Sequence, residues 1–204
     1  MSDPIPPTEP GLDPNEILIA EFEYISQTAF QANEDRGRVS SYYLITAGAA
    51  VAAILGAQLE GTTPVGVYWG FALVFGVLSA VGLLTLLQLV RLRIAWTASA
   101  RAMNQIKDYY RTRCPEAQLD QAFAWTTSTI PPPNKRGSIA FLLAMSVIVI
   151  DAATAGTAVA YVGLALGSAP GDPAWLIAGG VVGLAFAAAQ YAGYHAWLGQ
   201  GSRS

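Results

Sequence analysis

Asp151 is the residue whose chemistry stands out, because it is the single charged side chain in the run from Gly137 to Gly167. A charge at the centre of a bilayer costs about 2.5–3.5 kcal/mol on insertion scales, so such a group normally faces a partner or water. Depth counting at about 1.5 Å per residue brings Ser79 close to it, and Thr154 shares its helix face. These two hydroxyl groups are therefore its predicted partners. The carboxyl group either senses a proton or cation, or fixes helix packing through hydrogen bonds.

Gln190 and His195 give the inner half of the last apolar run a polar face, together with neighbouring tyrosines. This face either lines a cavity or lies at the headgroup interface, and the aromatic neighbours favour the interface. Depth counting separates His195 from Asp151, and no motif places a nucleophile or carboxylate beside the imidazole. With one cysteine, one histidine and no GxGxxG, GxxxxGK[ST] or HExxH pattern, the sequence predicts no enzyme activity, cofactor or metal site.

Small residues recur at four-residue spacing in the apolar runs, which lets helix backbones approach closely. This pattern predicts tight packing inside one bundle or, alternatively, dimerisation through one such face. The glycines predicted to serve in this way are Gly48, Gly56, Gly66, Gly70, Gly156, Gly179 and Gly183.

Four apolar stretches position these residues. Hydrophobic side chains make up 53% of the 204 residues and charged ones only 12%, which is too little charge for a soluble surface of this size. Since a helix rises about 1.5 Å per residue, about 20 apolar residues cross the hydrocarbon core. The sequence therefore predicts an all-α bundle of four transmembrane helices, at residues 39–59, 64–90, 138–167 and 173–198.

Positive charge sets the expected orientation, because loops rich in lysine and arginine stay in the cytoplasm. All 11 lysine and arginine residues fall on one side of the four predicted spans. We therefore expect a multi-pass protein with both termini in the cytoplasm, and the lipid bilayer as its first partner. The net charge of −3 argues against nucleic acid as a partner.

The predicted cytoplasmic part contains two helices. Residues 1–13 are proline-rich and predicted to be disordered, and Asp13-Pro14-Asn15-Glu16 then starts an amphipathic helix over residues 14–38. Residues 91–136 continue the second span as a helix as far as Cys114 and end in a proline-rich linker. Because the two helices have complementary charge, they are predicted to pack together as a stalk. Residues 199–204 form a short cytoplasmic tail.

The segment EFEYISQTAFQANEDRGRVSSYYLITAGAAVAAIL resembles the entry to the first span of uncharacterised small bacterial multi-pass membrane proteins. The resemblance implies a four-helix protein of the bacterial inner membrane. It carries no activity and no catalytic residue over to this chain.

These features predict a non-enzymatic membrane protein whose cytoplasmic stalk contacts a protein partner or a second copy of the chain. One alternative is a small channel, a transporter subunit or a pore-forming effector that uses Asp151 in an oligomer. A second alternative is a membrane enzyme acting on lipid, with chemistry at the cytoplasmic face.

Overall fold

A computed structural model describes residues 13–58, 64–117, 119–123 and 125–201 of the chain. The predicted disordered segment 1–13 lies outside the described residues except for Asp13. The predicted end of the first span at residue 59 and the last three residues of the tail also lie outside them.

The described residues form five α-helices and two short 3₁₀-helices, and they contain no strand. The prediction of an all-α protein is therefore confirmed. The four long helices are each long and apolar enough to cross a membrane. The elements, in order, are α1 Pro14–Gln58, α2 Val65–Arg113, a 3₁₀-helix Pro115–Ala117, α3 Leu119–Ala122, a 3₁₀-helix Thr127–Thr129, α4 Ile139–Ala165 and α5 Pro173–Gly201.

Each of the first two spans is part of a longer helix. The predicted amphipathic helix and first span form one helix of 45 residues, and the second span continues into the next segment as a helix of 49 residues. No proline occurs inside either helix after its first residue, so no backbone N–H is missing from the hydrogen-bond ladder.

Aspartate followed by proline starts both α1 and α5. Asp13 Oδ1 accepts a hydrogen bond of 2.9 Å from the backbone N–H of Asn15, and Asp172 Oδ1 accepts one of 2.9 Å from Ala174. Each carboxylate caps an N–H group that has no partner within the helix, and the proline fits the first turn, where its missing N–H is not needed. The starts of these two helices are therefore encoded locally.

The loop between α4 and α5 is a sharp reversal. Gly167 and Gly171 have φ angles of +93° and +81°, in the left-handed region that favours glycine. The N–H of Ser168 bonds back to the carbonyl of Gly163 at 3.2 Å, which closes the end of α4. The two helices consequently form an antiparallel hairpin.

The chain divides into two compact units. The two-helix unit comprises the described part of residues 13–31 and 96–130, and the four-helix unit comprises the described part of residues 32–95 and 131–201. The two-helix unit thus contains the start of α1, the end of α2 and the short helices after it. The four-helix unit contains the apolar parts of all four long helices.

Two hydrophobic layers fill the four-helix unit. One layer contains Tyr43, Leu86, Leu89, Val90, Ala144, Val147, Ile148, Tyr194 and Leu198. The other contains Ile54, Phe75 and Leu78, with Phe71, Ala158 and Tyr161 packed against them. Along α2 and α4 the two layers are separated by a stretch that contains Ser79, Asp151 and Thr154. A polar layer therefore lies between two apolar ones.

Candidate functional site: a buried carboxyl network

Asp151 is fully buried, with 0% of its surface exposed. Gln190 donates a hydrogen bond from Nε2 to Asp151 Oδ2. The hydroxyl of Tyr43 donates to Asp151 Oδ1 at 3.4 Å, and the hydroxyl of Thr154 lies 3.5 Å from the same oxygen. Both carboxyl oxygens therefore face donors on neutral side chains, which is how a buried polar group avoids the cost of an unpaired acceptor.

Ser79 joins the network through Thr154 rather than by direct contact with the acid. The two hydroxyl oxygens are 3.0 Å apart, and Ser79 also donates to the carbonyl of Phe75 at 3.0 Å. Thr154 itself bonds to the carbonyl of Asp151 at 2.8 Å. Side chains from α1, α2, α4 and α5 thus meet in one connected network, with the acid of α4 at its centre.

Gly82 gives the carboxyl group its space. A Cβ atom placed on Gly82 would lie 2.3 Å from Asp151 Oδ1 and 2.7 Å from the hydroxyl oxygen of Tyr43. Real Cβ atoms do not approach oxygen so closely, so only glycine, which has no side chain, fits at this position of α2 beside the acid. The network is therefore enclosed by packing as well as by hydrogen bonds.

Three of the predicted packing glycines hold α4 against α5. A Cβ on Gly156 would lie 2.7 Å from the carbonyl oxygen of Gly179, and a Cβ on Gly179 would lie 2.5 Å from that of Gly156. A Cβ on Gly183 would lie 2.7 Å from the carbonyl oxygen of Ala152. The obstructing atoms belong to backbone, which cannot swing aside as a flexible side chain can.

The other predicted packing glycines face open space. Added Cβ atoms on Gly48, Gly56, Gly66 and Gly70 would meet nothing within 4 Å. Glycine at these four positions is thus not required by packing within the described part of the chain.

His195 lies apart from the carboxyl network. Its ring contacts those of Tyr191 and Tyr194, with centroids 4.6 and 5.4 Å away. Its Nε2 atom is buried and has no hydrogen-bond partner among the described residues. The described partners of Asp151 are Tyr43, Thr154 and Gln190, so the structure does not bring the histidine and the acid together.

A second polar cluster lies in the two-helix unit around Asp108. Its carboxylate accepts hydrogen bonds from Thr127 and, at 3.0 Å, from Arg111. These residues line a polar depression of about 520 Å³. The hydrogen bond from Thr127, followed by the bond and the positive charge of Arg111, lowers the pKa of Asp108 below its usual value. This cluster fixes the segment after α3 to α2, and the described residues that line it include hydroxyl side chains such as Ser128 but no histidine to activate them.

The start of α1 packs on the end of α2 within the two-helix unit. Ile25 and Ala29 are buried, and the ammonium group of Lys107 lies 5.9 Å from the ring centre of Phe22 and 5.7 Å from that of Phe123. The helix nevertheless leaves large apolar side chains exposed on both sides of its buried face: Tyr24 at 67%, Phe30 at 65%, and also Ile17 and Ile19. The two predicted stalk helices thus belong to one unit that has an uncovered apolar surface.

Tyr43 and Gly82 were not predicted to lie near Asp151, and Gln190 was predicted to lie at a headgroup interface. Depth counting compares Cα heights and ignores how far a long side chain reaches. A phenol or a primary amide extends several ångströms from its backbone, which lets Tyr43 and Gln190 reach an acid at a different depth. A search for long polar side chains near the ends of spans could have found both partners.

No family model, no curated protein and no solved structure matches the chain.

Proposed function

We propose that this chain is a non-enzymatic multi-pass protein of the bacterial inner membrane, with both termini in the cytoplasm. In the cytoplasm, its two-helix unit would contact a second copy of the chain or another protein. The topology rests on the distribution of all 11 lysine and arginine residues to one side of four apolar helices.

The exposed apolar side chains of α1 carry the proposal. Tyr24, Phe30, Ile17 and Ile19 lie in the part of the helix that precedes the first predicted span. Contact of an exposed isoleucine with lipid carries no free-energy cost, whereas several large apolar side chains exposed to water favour a protein partner. Aromatic side chains in particular supply much of the binding energy at protein interfaces.

The carboxyl network supports a structural role for Asp151 within the four-helix unit. The acid is enclosed, both of its oxygens face donors, and Gly82 leaves no room for a further group. These contacts favour helix packing over a path for ions.

Site-specific crosslinking tests the proposed contact. The chain has one cysteine, Cys114, so Cys114→Ser gives a background in which Tyr24→Cys places a single thiol on the exposed face of α1. We expect a crosslinked dimer in native membranes that disappears when Phe30→Ser and Ile19→Ser are added. Gln27→Ala, an exposed change on the same helix, should leave the dimer intact.

The proposal fails if no dimer forms and affinity capture from gently solubilised membranes recovers only this chain. A reporter fused within residues 115–135 tests the topology separately. Periplasmic activity of that reporter would overturn the orientation without bearing on the contact itself.

A small channel, transporter subunit or pore-forming effector is the second candidate, favoured by a carboxyl group deep in an apolar helix. Purified chain in liposomes would then conduct protons or cations, and Asp151→Asn, which keeps the size of the side chain, would abolish the flux. Liposomes that stay impermeable would exclude this class.

A further inference from the structure

An open groove lies between α1 and α4 in the four-helix unit, with a volume of about 550 Å³. Buried side chains from three helices form its floor: Ala47 and Ile54 of α1, Phe75 of α2 and Thr154 of α4. Exposed side chains form its rims, including Val51 of α1 and Val149 of α4. The described helices therefore border a space that their own side chains do not fill.

The groove lies at the depth expected for the hydrocarbon core. Its lining residues fall between 44 and 55 in α1 and between 149 and 161 in α4, and both stretches lie inside the predicted spans 39–59 and 138–167. None of the described lining residues carries a charge. At this depth an open apolar groove faces acyl chains rather than water. This step rests on the four helices crossing a bilayer, which is part of the proposed function.

Two threonines line the groove, but the protons of their hydroxyl groups are already used. Thr157 donates to the carbonyl of Ala153 at 2.8 Å, and Thr154 donates to the carbonyl of Asp151 at 2.8 Å. The hydroxyl oxygen of Thr154 also lies 3.0 Å from that of Ser79. Neither threonine therefore has a proton left for a ligand, which favours an occupant that lacks hydrogen-bond acceptors.

The groove is too narrow to take up a helix. Its lining on α1, from Leu44 to Leu55, spans about 16 Å at about 1.5 Å per residue, so a volume of about 550 Å³ corresponds to a mean cross-section of about 35 Å². A helix with its side chains is about 10–12 Å in diameter, which requires about 80–110 Å². A single extended hydrocarbon chain, which is only one methylene group wide, fits the groove.

We propose that this groove binds one acyl chain of a membrane phospholipid. The chain would cover the apolar floor at Ile54 and Phe75 and contact α1 on one side and α4 on the other. Gly48 leaves one wall open, because a Cβ atom placed there would meet nothing within 4 Å. Phospholipid is the expected source of the chain, since it surrounds the apolar parts of all four helices once they span a bilayer.

Photocrosslinking of the full chain tests the groove. The protein is purified in neutral detergent and placed in phosphatidylcholine vesicles that contain some phosphatidylcholine with a diazirine group halfway along one acyl chain. After illumination, mass spectrometry locates the labelled residues. We expect stronger labelling of Val51 and Val149, at the rims of the groove, than of Val77, an exposed residue in the middle of the second predicted span that does not line it.

Gly48→Phe should remove the labelling in the groove, because the new ring would occupy the open space beside Gly48. We expect the labelling of Val51 and Val149 to fall about tenfold or more, while Val77 keeps its own. Gly76→Phe is the matched control, since Gly76 is exposed, an added Cβ meets nothing within 4 Å, and the residue does not line the groove. This variant should be labelled as the unmodified protein is.

Equal labelling of the rim residues and Val77, or equal labelling of the two phenylalanine variants, would overturn this inference. A disulfide-linked dimer of Gly48→Cys, made in the Cys114→Ser background, would place a second copy in the groove and overturn it as well. Should Gly48→Phe fail to fold, Val51→Trp fills the groove from the same helix, and its labelling at Val149 is judged against the same control. A chain that is soluble without detergent would overturn the proposed function too, whereas the labelling outcomes bear on the groove alone.

Discussion

Each of the two units contains a carboxyl group with hydrogen-bond partners, and the partners differ in kind between the units. In the four-helix unit Asp151 is fully buried and its described partners are a primary amide, a phenol and a hydroxyl. In the two-helix unit Asp108 is partly exposed, and its partners are the guanidinium of Arg111 and the hydroxyl of Thr127. Water can solvate the carboxylate of Asp108 but cannot reach the carboxyl group of Asp151. Loss of a hydrogen-bond partner should therefore lower the free energy of unfolding far more in the four-helix unit.

The contacts between helices also differ between the two units. The α4–α5 hairpin brings backbone within contact distance of backbone at Gly156 and Gly179. The two-helix unit relies on side chains, such as Lys107 between Phe22 and Phe123, and leaves Tyr24 and Phe30 exposed. The α4–α5 contact is thus made by backbone atoms that cannot move aside, whereas the contacts within the two-helix unit are made by side chains.

Removal of the buried acid should have the largest effect. Asp151→Ala leaves the amide of Gln190 and the hydroxyl of Tyr43 without their acceptor and opens a cavity, so we expect a loss of about 2–4 kcal/mol in the free energy of unfolding. Reversible unfolding in mixed micelles would measure it. Ser146→Ala, on an exposed position of the same helix, should change the value by less than about 0.5 kcal/mol. Equal effects of the two changes would show that the network contributes nothing.

A methyl group in the α4–α5 contact should come next. Gly156→Ala places Cβ against the carbonyl oxygen of Gly179, so the helices must move apart, at a cost of about 1–3 kcal/mol. Gly48→Ala, where nothing lies within 4 Å, should be neutral or slightly stabilising because alanine favours helix. The same unfolding measurement applies, and a neutral Gly156→Ala would contradict the described contact.

Loss of the ammonium group in the two-helix unit should have a smaller effect. Lys107→Met keeps an apolar stem but loses the cation near the rings of Phe22 and Phe123, which should cost about 0.5–1 kcal/mol. Lys107→Arg retains the cation and should stay close to the original stability. A greater loss than that of Asp151→Ala would reverse the comparison between the units.

The smallest effect should be a change in the titration of Asp108. Because its pKa in the folded chain is lowered, mainly by the bond from Thr127, its contribution to stability is present above its ordinary value of 3.8 and is lost as the pH falls through the lowered value. Thr127→Val should raise the pKa of Asp108 toward 3.8, measured by NMR of the carboxyl carbon. Thr112→Val is the control, since Thr112 bonds to the carbonyl of Asp108 and not to its carboxylate. An unmoved titration in Thr127→Val would refute this cause.

The fold could be predicted from the sequence because lipid imposes simple rules. Length and hydropathy identified the four long helices, and Asp13-Pro14 and Pro173 marked two of their starts. The continuity of α1 across residue 38 was not predicted, since the change from amphipathic to apolar composition suggested two elements. No proline occurs in that stretch, and Gly37 weakens a helix without ending it, so the backbone continues as one helix.

The site was predicted less completely. Asp151 and Thr154 were linked correctly because they share one helix face, which depends on local geometry alone. Tyr43 and Gln190 depend on how separate helices are placed and rotated, and a single sequence does not contain that information.

The α4–α5 hairpin has a consequence for biogenesis. Asp151 and Gln190 both belong to it, and only seven residues separate the two helices. Contacts between elements so close along the chain form early, so the pair would leave the translocon with its acid already bonded to an amide. We expect α4 and α5 to enter the lipid together, which would avoid the free-energy cost of inserting α4 with its aspartate unpaired.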